Sequence, residues 1–502
     1  MKIFNTNQIR NIDEYSIKNE PINSIDLMER AAQAIFTQFK KQFSTQHSVY
    51  VIAGNGNNGG DALALARLLL LANYRVKVFF LTGNTISADC KTNYQRLIML
   101  FPDALTLIND IFLEPQISAN SILIDGIFGS GLSRPLQGIY AQVVNWINHS
   151  GCIIVAIDIP TGLSSEENKL VKPLVIVKAT FTYSLHFQKL VFMFPEISDY
   201  CGKISVLDIG LHPEIIKQTE TDYHILEKPE ISEILKTRTK FSHKGTFGHT
   251  LIVAGKKGMA GAALLSAKAA LRSGTGLVTV HSASKNRTIL QSSAPEIIFI
   301  SDSETDYVSK VDSIDSYNSM AIGPGIGTHP KTAEMLKNTF LHTNIPYVVD
   351  ADALNIIASN NELLELIPKN SIITPHPKEF ERLFGLSNNS YERLLKAQNV
   401  AIKHQIIIVL KGAHTLIATP EGKLFFNSTG NSGMATAGMG DVLTGIIAGL
   451  LAQGYNAENA AKIAVFLHGT AADIAIETES EESLISSDLI TCIGKAFKSI
   501  RQ

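Results

Sequence analysis

The sequence predicts an α/β protein that folds as two doubly wound domains. Short apolar runs typical of strands alternate with longer runs at helical spacing, a pattern that favours parallel sheets covered by helices. A strand that leads directly into a glycine-rich loop occurs twice, at Gly54 and at Gly255. Because 502 residues are too many for one ordinary hydrophobic core, each of these loops is expected to belong to its own domain.

The first half of the chain is predicted to form a complete sheet-and-helix unit. Its first 40 residues or so are expected to be helical, with a capped helix start at 23–30. A further helix is predicted over 61–71, and the predicted strands are 49–53, 76–81, 121–124 and 153–157. The run 206–213 closes this unit.

The second half is predicted to repeat this architecture with a strand that starts at Thr250 and a helix over 262–273. The further predicted strands are 277–280, 319–322, 347–349, 371–374 and 406–410, and 415–419 is predicted to form a hairpin with 423–426. Between the halves, the polar stretch from about 214 to 240 is a linker or an edge segment. The boundary is therefore expected near 215–230, with domains over 1–218 and 225–502.

The charge and hydropathy of the chain argue against several classes of function. A formal net charge of −2 and a pI near 6.7 give no electrostatic footprint for nucleic acid or an anionic membrane surface. The first residues lack the apolar core of a signal peptide and no run reaches transmembrane length, so the cytoplasm is the expected compartment. Four cysteines without CxxC spacing indicate buried thiols rather than a metal site.

The most informative stretch is a run of mostly small residues at 430–440 that leads through Asp441 into an apolar helix pattern. Unpaired backbone N–H groups at a helix N-terminus favour phosphate, and Asp441 places a carboxylate beside them. A carboxylate in such a place would repel phosphate unless it handled a proton or a metal, so the pattern favours phosphoryl transfer onto a hydroxyl. The alternative is an acidic residue that only complements the helix dipole.

The glycine-rich loop of the first half, 54–61, has GxGxxG spacing between a strand and a helix. No carboxylate ends the second strand to bind a ribose, so an NAD-dependent dehydrogenase loses support. Asn57, Asn58 and Asp61 crowd polar side chains into the turn, which favours a sugar, an amide or a hard cation in addition to phosphate. The alternative is Asx-turn hydrogen bonding that only holds the loop shape.

Two further loops, 125–134 and 158–163, each begin with an aspartate at a strand end. Because the carboxyl ends of parallel strands meet at one edge of a sheet, all three loops are expected to form one ligand site. Asp158 stands two residues before Pro160, so a capping or Asx-turn role is the alternative for this aspartate.

Motifs in both halves resemble one family. Gly438-x-Gly440-Asp441 is similar to the motif of ribokinase-type small-molecule kinases, in which the aspartate is the base. The three loops of the first half match, in order, the motifs of NAD(P)H-hydrate epimerases. The whole chain therefore resembles the bifunctional NAD(P)H-hydrate repair enzymes, which join an epimerase to an ADP- or ATP-dependent dehydratase. This resemblance implies a Rossmann-like first domain and a ribokinase-like second domain.

For the first domain, the resemblance implies epimerisation of the R and S forms of hydrated NADH or NADPH. Potassium would be held by Asn58, Asp125 and Thr161, and Asp158 would be the catalytic residue that faces the hydrated ring. Inversion of the hydroxyl-bearing carbon needs ring opening or loss and re-addition of water, and a carboxylate can assist either by proton transfer. The substrate-binding residues that the resemblance implies are Asn57, Asn58, Gly59, Gly60, Asp61, Gly129, Ser130, Gly131, Leu132, Ser133, Arg134, Pro135 and Asp158.

For the second domain, the resemblance implies dehydration of the S form at the expense of ADP or ATP, with Mg²⁺ bridging the phosphates. Asp441 would contact the substrate and act as the catalytic base. The other implied substrate contacts are Ala262, Gly325, Gly327 and His376, and the implied nucleotide contacts are Lys411, Gly412, Ala413, His414, Thr415 and Gly440. A histidine after an apolar strand, like His376, is also often a core residue. Lys256 and Ala437 depart from the family pattern, which usually has glycine at both positions.

Other functions remain as alternatives. No GxxxxGK[ST] motif occurs, so a P-loop NTPase is excluded. A vitamin- or sugar-type kinase with a regulatory first domain and a non-enzymatic nucleotide sensor are both open, although Asp158, His376 and Asp441 in one chain favour an enzyme. The expected ligands are the hydrates of NADH or NADPH and an adenine nucleotide, without nucleic acid or membrane, and the protein is expected to be a homo-oligomer.

Overall fold

Two sheets that share no strand organise the chain in the computed structural model. The structure describes residues 1–83, 85–109, 111–132, 135–166, 175–312, 314–342, 345 and 347–502. The chain divides into a first unit, Lys2–Thr221, and a second unit, Asp222–Gln502, to which Met1 also belongs. Each unit contains one of the sheets, and the predicted class of two doubly wound α/β domains is confirmed.

The first unit contains a seven-stranded sheet in the order β3-β2-β1-β4-β5-β6-β7, and every neighbouring pair is parallel. Its strands are β1 Ser48–Ala53, β2 Arg75–Leu81, β3 Leu105–Ile108, β4 Ile122–Gly126, β5 Ile153–Ile157, β6 Phe181–Leu185 and β7 Lys203–Leu207. Its helices are α1 Thr6–Asn19, α2 Ser24–Gln42, α3 Asn57–Leu71, α4 Ala88–Leu100, α5 Gly138–His149, α6 Ser198–Cys201 and α7 Pro213–Gln218.

Hydrophobic burial on both faces explains why the central strands of this sheet are continuously apolar. Strand β4 is buried along its whole length, with one apolar cluster around Ile122 and Ile124 and a second around Leu123 on the opposite face. The order of the strands reverses between β1 and β4, so the loops that follow these two strands diverge and leave a crevice at the carboxyl edge.

The second unit contains a ten-stranded sheet in the order β11-β10-β9-β12-β13-β14-β15-β16-β17-β8. Its strands are β8 Tyr223–Ile225, β9 His249–Val253, β10 Leu277–Ser282, β11 Ile298–Ser301, β12 Ser319–Ile322, β13 Tyr347–Val349, β14 Ile372–Ile373, β15 Ile407–Leu410, β16 Leu416–Ala418 and β17 Leu424–Phe426. Its helices are α8 Lys228–Ile234, α9 Ala260–Arg272, α10 Arg287–Ser293, α11 Pro330–Leu341, α12 Ala351–Ser359, α13 Pro377–Phe384, α14 Ser390–His404, α15 Met439–Ala452, α16 Ala457–Ala475 and α17 Ser486–Arg501. Strands β15, β16 and β17 form the predicted antiparallel hairpin region, and the other neighbouring pairs are parallel.

Several features of the fold differ from the sequence expectation. Strands β3 and β11 lie at sheet edges and were not predicted, since both are partly exposed and lack a long apolar run. The inner strand β6 was not predicted either. Helix α3 begins at Asn57 rather than near Asp61, so Gly59 and Gly60 lie within its first turn. The polar stretch after residue 214, expected to be a linker or an edge segment, contains an edge strand, β8, which pairs in parallel with β17.

No helix among the described residues is long and apolar enough to cross a membrane. All four cysteines are free, and three of them, Cys90, Cys201 and Cys492, are buried.

Candidate active sites

A cavity of about 500 Å³ lies at the carboxyl edge of the first unit's sheet, at the reversal point between β1 and β4. The predicted loops converge there, and the predicted residues that line the cavity are Asn57, Asn58, Asp61, Gly129, Ser130, Gly131, Leu132 and Asp158. Helix α1 contributes Thr6, Arg10 and Asp13, none of which the motifs indicated. The structure therefore brings all three predicted loops to one place, together with a helix that the sequence did not connect with them.

Asp158 occupies a strained position directly after β5. Its φ of 64° lies in the left-handed region, which aspartate tolerates better than most residues because its short side chain bonds locally. The Asp158 carboxylate accepts hydrogen bonds from the Leu185 and Ser130 backbone N–H groups and forms an ion pair with Lys189, whose Nζ lies 2.9 Å from Oδ1. Lys189 is only 2% exposed, so its amino group is buried beside the Asp158 carboxylate and does not lie at the protein surface.

Three oxygen-bearing side chains meet beneath the turn at Phe128. The Thr161 hydroxyl donates to Asp125 Oδ1 at 2.7 Å, and the Thr161 backbone N–H donates to Asp125 Oδ2 at 2.8 Å. Asp125 is 0% exposed, and burial raises its pKa to about 6 despite these hydrogen bonds. The Asn58 side chain lies beside Gly129, and its buried Nδ2 atom has no hydrogen-bond partner among the described residues.

Two other carboxyl groups in this cavity resist ionisation. Burial raises the pKa of Asp13 to about 7; Lys189 lowers it in part, while Asp158 and Glu14 raise it. Burial also raises the pKa of Asp61 well above its usual value, with further increases from Asp158 and Asp13. A cavity with three acidic side chains thus contains one carboxylate paired with a cation and two carboxyl groups that retain their protons more readily.

Five predicted substrate contacts of the first unit do not line the cavity or lie outside the described residues. Gly59 and Gly60 pack inside the fold, where a Cβ at Gly59 would collide with the Gly54 carbonyl and a Cβ at Gly60 would lie 2.7 Å from the Met28 sulfur. Pro135 is exposed and is not among the cavity-lining residues. Ser133 and Arg134 lie outside the described residues. The two glycines therefore let α3 start close to β1 rather than line the cavity.

In the second unit, Asp350 and Lys411 form the centre of a polar cluster at the ends of β13 and β15. Lys411 Nζ lies 3.0 Å from Asp350 Oδ1, and the Thr444 hydroxyl donates to Asp350 Oδ2 at 2.8 Å. Glu379 approaches the same ammonium at 4.0 Å. Burial alone would lower the pKa of Lys411, but the charges of Asp350 and Glu379 outweigh it and the pKa is raised. Lys411 is therefore a firmly charged cation.

Asp441 lies beside this cluster in the first turn of α15. Burial raises its pKa to about 6, and Asp350 raises it further, whereas Lys411 acts in the opposite direction. The residue that caps this helix is Gly438, whose φ of 87° lies in the left-handed region that glycine adopts without strain. Ala437 does not have a positive φ. The alanine that departs from the family pattern is therefore compatible with this helix start.

The glycine loop after β12 meets the loop after β9. A Cβ at Gly325 would lie 2.9 Å from the Met259 Cβ and 3.2 Å from the Ala262 Cβ, so these two loops are in close contact. The Gly327 backbone N–H donates to Asp352 Oδ2 at 2.8 Å, and Asp352 also raises the pKa of Asp441. Ala262, Gly325 and Gly327 are therefore close neighbours on the same side of the sheet as Asp441.

His376 caps helix α13, and its side chain is 45% exposed. Its Nδ1 atom accepts hydrogen bonds from the Lys378 and Glu379 backbone N–H groups, which places the ring proton on Nε2 in the neutral form. The Glu379 carboxylate accepts from the His376 backbone N–H at 2.8 Å. The His376 ring is accessible and held in one orientation, so His376 is not a buried core residue.

The predicted nucleotide segment forms a tight turn after β15. The Thr415 hydroxyl donates to the Gly412 carbonyl at 3.0 Å, and His414 Nδ1 lies 3.1 Å from the Asn427 carbonyl oxygen. Gly412 and Ala413 are exposed. Gly440 faces this region from α15, since a Cβ there would lie 3.4 Å from Lys411 Nζ. The Lys411 ammonium group therefore lies beside the N-terminus of α15, and both carry the positive charge that favours an anion.

The two doubly wound sheets and their carboxylate sites define a two-domain α/β enzyme with a Rossmann-like unit followed by a ribokinase-like unit. Residues 24–191 match the family model described as the YjeF-related protein N-terminus, and residues 250–495 match the model described as NAD(P)H-hydrate dehydratase.

Similar proteins cover almost the whole chain. The sequence is 33% identical to the bifunctional NAD(P)H-hydrate repair enzyme of Moorella thermoacetica, over 98% of this chain and 96% of that protein. It is also 33% identical to the enzyme of the same description from Coxiella burnetii, over 97% of each chain. A ribokinase-like superfamily protein from Enterococcus faecalis, 28% identical, aligns with a TM-score of 0.50 over 57% of this chain and 98% of that one. The chain belongs to the bifunctional NAD(P)H-hydrate repair enzymes.

Proposed function

We propose that the two units divide the two activities of this family between them. The first, expected over 1–218, epimerises the R and S forms of hydrated NADH or NADPH. The second, expected over 225–502, dehydrates the S form at the expense of ADP or ATP and releases AMP or ADP and phosphate. The observation that carries this proposal is that each unit has its own catalytic-type carboxylate at the carboxyl edge of its own sheet, Asp158 in one and Asp441 in the other.

In the first unit, the cavity holds the hydrated dinucleotide. Arg10 and the N-terminus of α3 supply positive charge for its phosphates, and the turn from Gly129 to Leu132 also lines the cavity. Asp158 faces the hydrated ring and transfers the proton that inversion of the hydroxyl-bearing carbon requires. The buried Lys189, 2.9 Å from Asp158 Oδ1, pairs with this carboxylate and holds it in the cavity.

The residues around Asp125 fit a potassium ion. Asp125 is a fully buried carboxylate, and within the described residues no cationic side chain forms an ion pair with it. A carboxylate, a hydroxyl and an amide oxygen are the hard donors that such a cation prefers, and Asp125, Thr161 and Asn58 supply them. Potassium would neutralise the buried charge and fix the Phe128 turn that forms the cavity wall.

In the second unit, Asp441 takes the proton of the substrate hydroxyl as the terminal phosphoryl group of the nucleotide is transferred to that oxygen. Phosphate then leaves with the electrons of its carbon–oxygen bond while the lone pair of the ring nitrogen forms a double bond to the carbon. Loss of a proton from the adjacent carbon restores the reduced cofactor. Lys411 and the N–H groups at Gly440 hold the phosphates, and Asp350 positions Lys411.

Magnesium fits this site as a companion of the nucleotide. No group of three or more histidine, cysteine, aspartate or glutamate side chains in the described part of the chain is placed to hold a metal ion. Mg²⁺ typically binds through one or two carboxylates and substrate phosphates, so the nucleotide would supply most of its ligands. When bound, the ion neutralises charge on the phosphoryl group during transfer.

The proposal is tested by exchanging each carboxylate for its amide in the full chain. Asp441→Asn should lower the rate of dehydration of the pure S form roughly 10²–10⁴-fold, the contribution of a general base, while epimerisation continues. Asp158→Asn should do the reverse. Epimers are separated by chromatography without nucleotide, and dehydration is followed by the absorbance of reduced nicotinamide. If Asp441→Asn dehydrates within a few-fold of the unmodified enzyme, Asp441 is not the base.

A further inference from the structure

Asp13 and Asp158 reach the same cavity from different parts of the first unit. Asp13 lies on helix α1, near the start of the chain, and Asp158 lies after strand β5. The Asp158 charge is close enough to raise the pKa of Asp13, and Lys189, which pairs with Asp158, acts on Asp13 in the opposite direction. The proposed function uses only Asp158, so the cavity contains an acidic group without an assigned part in the reaction.

The contacts of the two groups differ. Asp158 forms an ion pair with a buried lysine and accepts two backbone hydrogen bonds. No ion pair or side-chain hydrogen bond of Asp13 is found among the described residues, and burial favours its neutral form. Two carboxyl groups whose surroundings separate them in this way are the usual arrangement for an acid and a base in one active site.

Inversion of a hydroxyl-bearing carbon needs such a pair. If the hydroxyl leaves as water from one face of the ring, one group must donate a proton to it. When water returns at the other face, another group must accept a proton from it. A single carboxylate on one face serves only one of these two steps unless the substrate turns over in the site.

We propose that Asp13 is a second catalytic residue of the epimerase and acts as the acid where Asp158 acts as the base. This proposal rests on the proposed function of the first unit. The Asp13 carboxyl group donates its proton to the hydroxyl, the carbon–oxygen bond breaks, and the lone pair of the ring nitrogen forms a double bond to the carbon as water leaves. Water then adds to the other face, the double-bond electrons return to nitrogen, and the Asp158 carboxylate takes the released proton. The opposite epimer follows the same steps in reverse, which restores both groups.

Asp61 is the other candidate for the acid, and its position argues against it. Asp61 is buried on α3, whereas Asp13 is partly accessible. The proton balance of the cavity must be reset through solvent after net conversion in one direction, and the accessible group does this more readily. Asp61 is therefore assigned to binding.

The test uses the full chain without nucleotide, so that only epimerisation is measured from a single pure epimer. Asp13→Asn should lower kcat by about 10²-fold or more and leave KM within a few-fold, because it removes a proton donor and keeps the side-chain shape. Asp13→Glu should recover part of this loss. Glu14→Gln, which removes an exposed carboxylate one residue away, should retain kcat within a few-fold at a pH below the Asp13 pKa and lower that pKa slightly, and Asp61→Asn should raise KM more than it lowers kcat.

Two further readouts separate chemistry from structure. The groups that face Asp13 are Lys189, Asp158 and Asp61, with Arg10 and Glu14 on its own helix. Because Asp13 must be protonated, kcat/KM should fall above about pH 7, and this fall should vanish in Asp13→Asn. In water labelled with ¹⁸O, the inverted hydroxyl should carry one labelled oxygen per turnover, above an enzyme-free control.

The outcomes distinguish this proposal from the function on which it rests. Wild-type kcat in Asp13→Asn combined with inactive Asp158→Asn would overturn the role of Asp13 and leave the epimerase site in place. Activity in both variants would remove the proposed site itself. A large kcat loss in Asp61→Asn alone would make Asp61 the acid, and retention of unlabelled oxygen would exclude the loss and return of water.

Discussion

The two units place their proposed catalytic carboxylates in different electrostatic settings. In the first unit, Asp158 follows a strand directly and has a buried lysine 2.9 Å from its carboxylate. In the second, Asp441 lies at a helix start, and the nearby cation Lys411 is already paired with Asp350 at 3.0 Å. Burial raises the pKa of Asp441 to about 6, and the acidic neighbours Asp350 and Asp352 raise it further, with only partial opposition from Lys411. The comparison shows that similar sheets create different chemistry through the partner that each carboxylate receives.

The position of each site relative to its sheet differs as well. The cavity of the first unit lies at the point where strand order reverses, between β1 and β4. In the second unit the corresponding point, between β9 and β12, contains the close contact of Gly325 with Met259 and Ala262, and the charged groups around Asp441 come from the ends of β13 and β15. The two units thus draw the residues around their carboxylates from different parts of the sheet.

The largest effect is expected when the ion pair of the first unit is broken. Lys189→Met leaves the Asp158 charge buried without a partner, which should destabilise the first unit by roughly 3–5 kcal/mol and impair epimerisation. Thermal unfolding and separate assays of both activities measure this, and dehydration should persist. Lys189→Arg should restore most of both properties, and Lys203→Met, an exposed lysine on β7, is the matched control. Equal effects of the two methionine changes would contradict the comparison.

A smaller effect is expected from pH on the second unit. Asp441 must be ionised to accept a proton, so dehydration should be independent of pH above about 6 and fall about tenfold per unit below it. Asp350→Asn removes one of the charges that raise this pKa, and the fall should then begin at a lower pH. The measurement is kcat/KM for the S form across pH, and an unchanged profile in Asp350→Asn would show that Asp350 does not tune Asp441.

The smallest effect is expected from a methyl group on α15. A Cβ at Gly440 would lie 3.4 Å from Lys411 Nζ, which the fold tolerates, but it would occupy space that faces the phosphates. Gly440→Ala should therefore weaken nucleotide binding by about tenfold at most, or roughly 1.4 kcal/mol, without loss of stability. Gly261→Ala, in the first turn of α9 with no atom within 4 Å, is the matched control in calorimetric titration. Unchanged affinity in Gly440→Ala would place the nucleotide elsewhere.

Much of the fold followed from periodicity because central strands are buried on both faces. Strands β12 and β13 have the predicted bounds, since each is a short apolar run with turn residues on both sides. Edge strands β3 and β11 were not predicted, because a strand with one partner and one exposed face need not be continuously apolar. Cytoplasmic location and homo-oligomeric assembly stay predictions, as do the individual site residues.

Residues that act through a distant partner left little signal in the sequence. Lys189 lies 31 positions after Asp158 and Asp13 lies on the first helix, so no local motif connects them with the cavity. Asp350 could have been found, because it directly follows strand β13 just as Asp125 and Asp158 occur at strand ends.

Strand β8 determines where the chain can be cut to separate the second unit. One edge of β17 pairs with Tyr223, His224 and Ile225. A fragment that starts at Asp222 therefore retains this edge strand, whereas a fragment that starts at residue 225 lacks most of it. Exposed backbone groups along Leu424–Phe426 would then be open to pairing with another molecule. In a separated second unit, three residues of a polar connecting segment would therefore protect the sheet edge from association with another molecule.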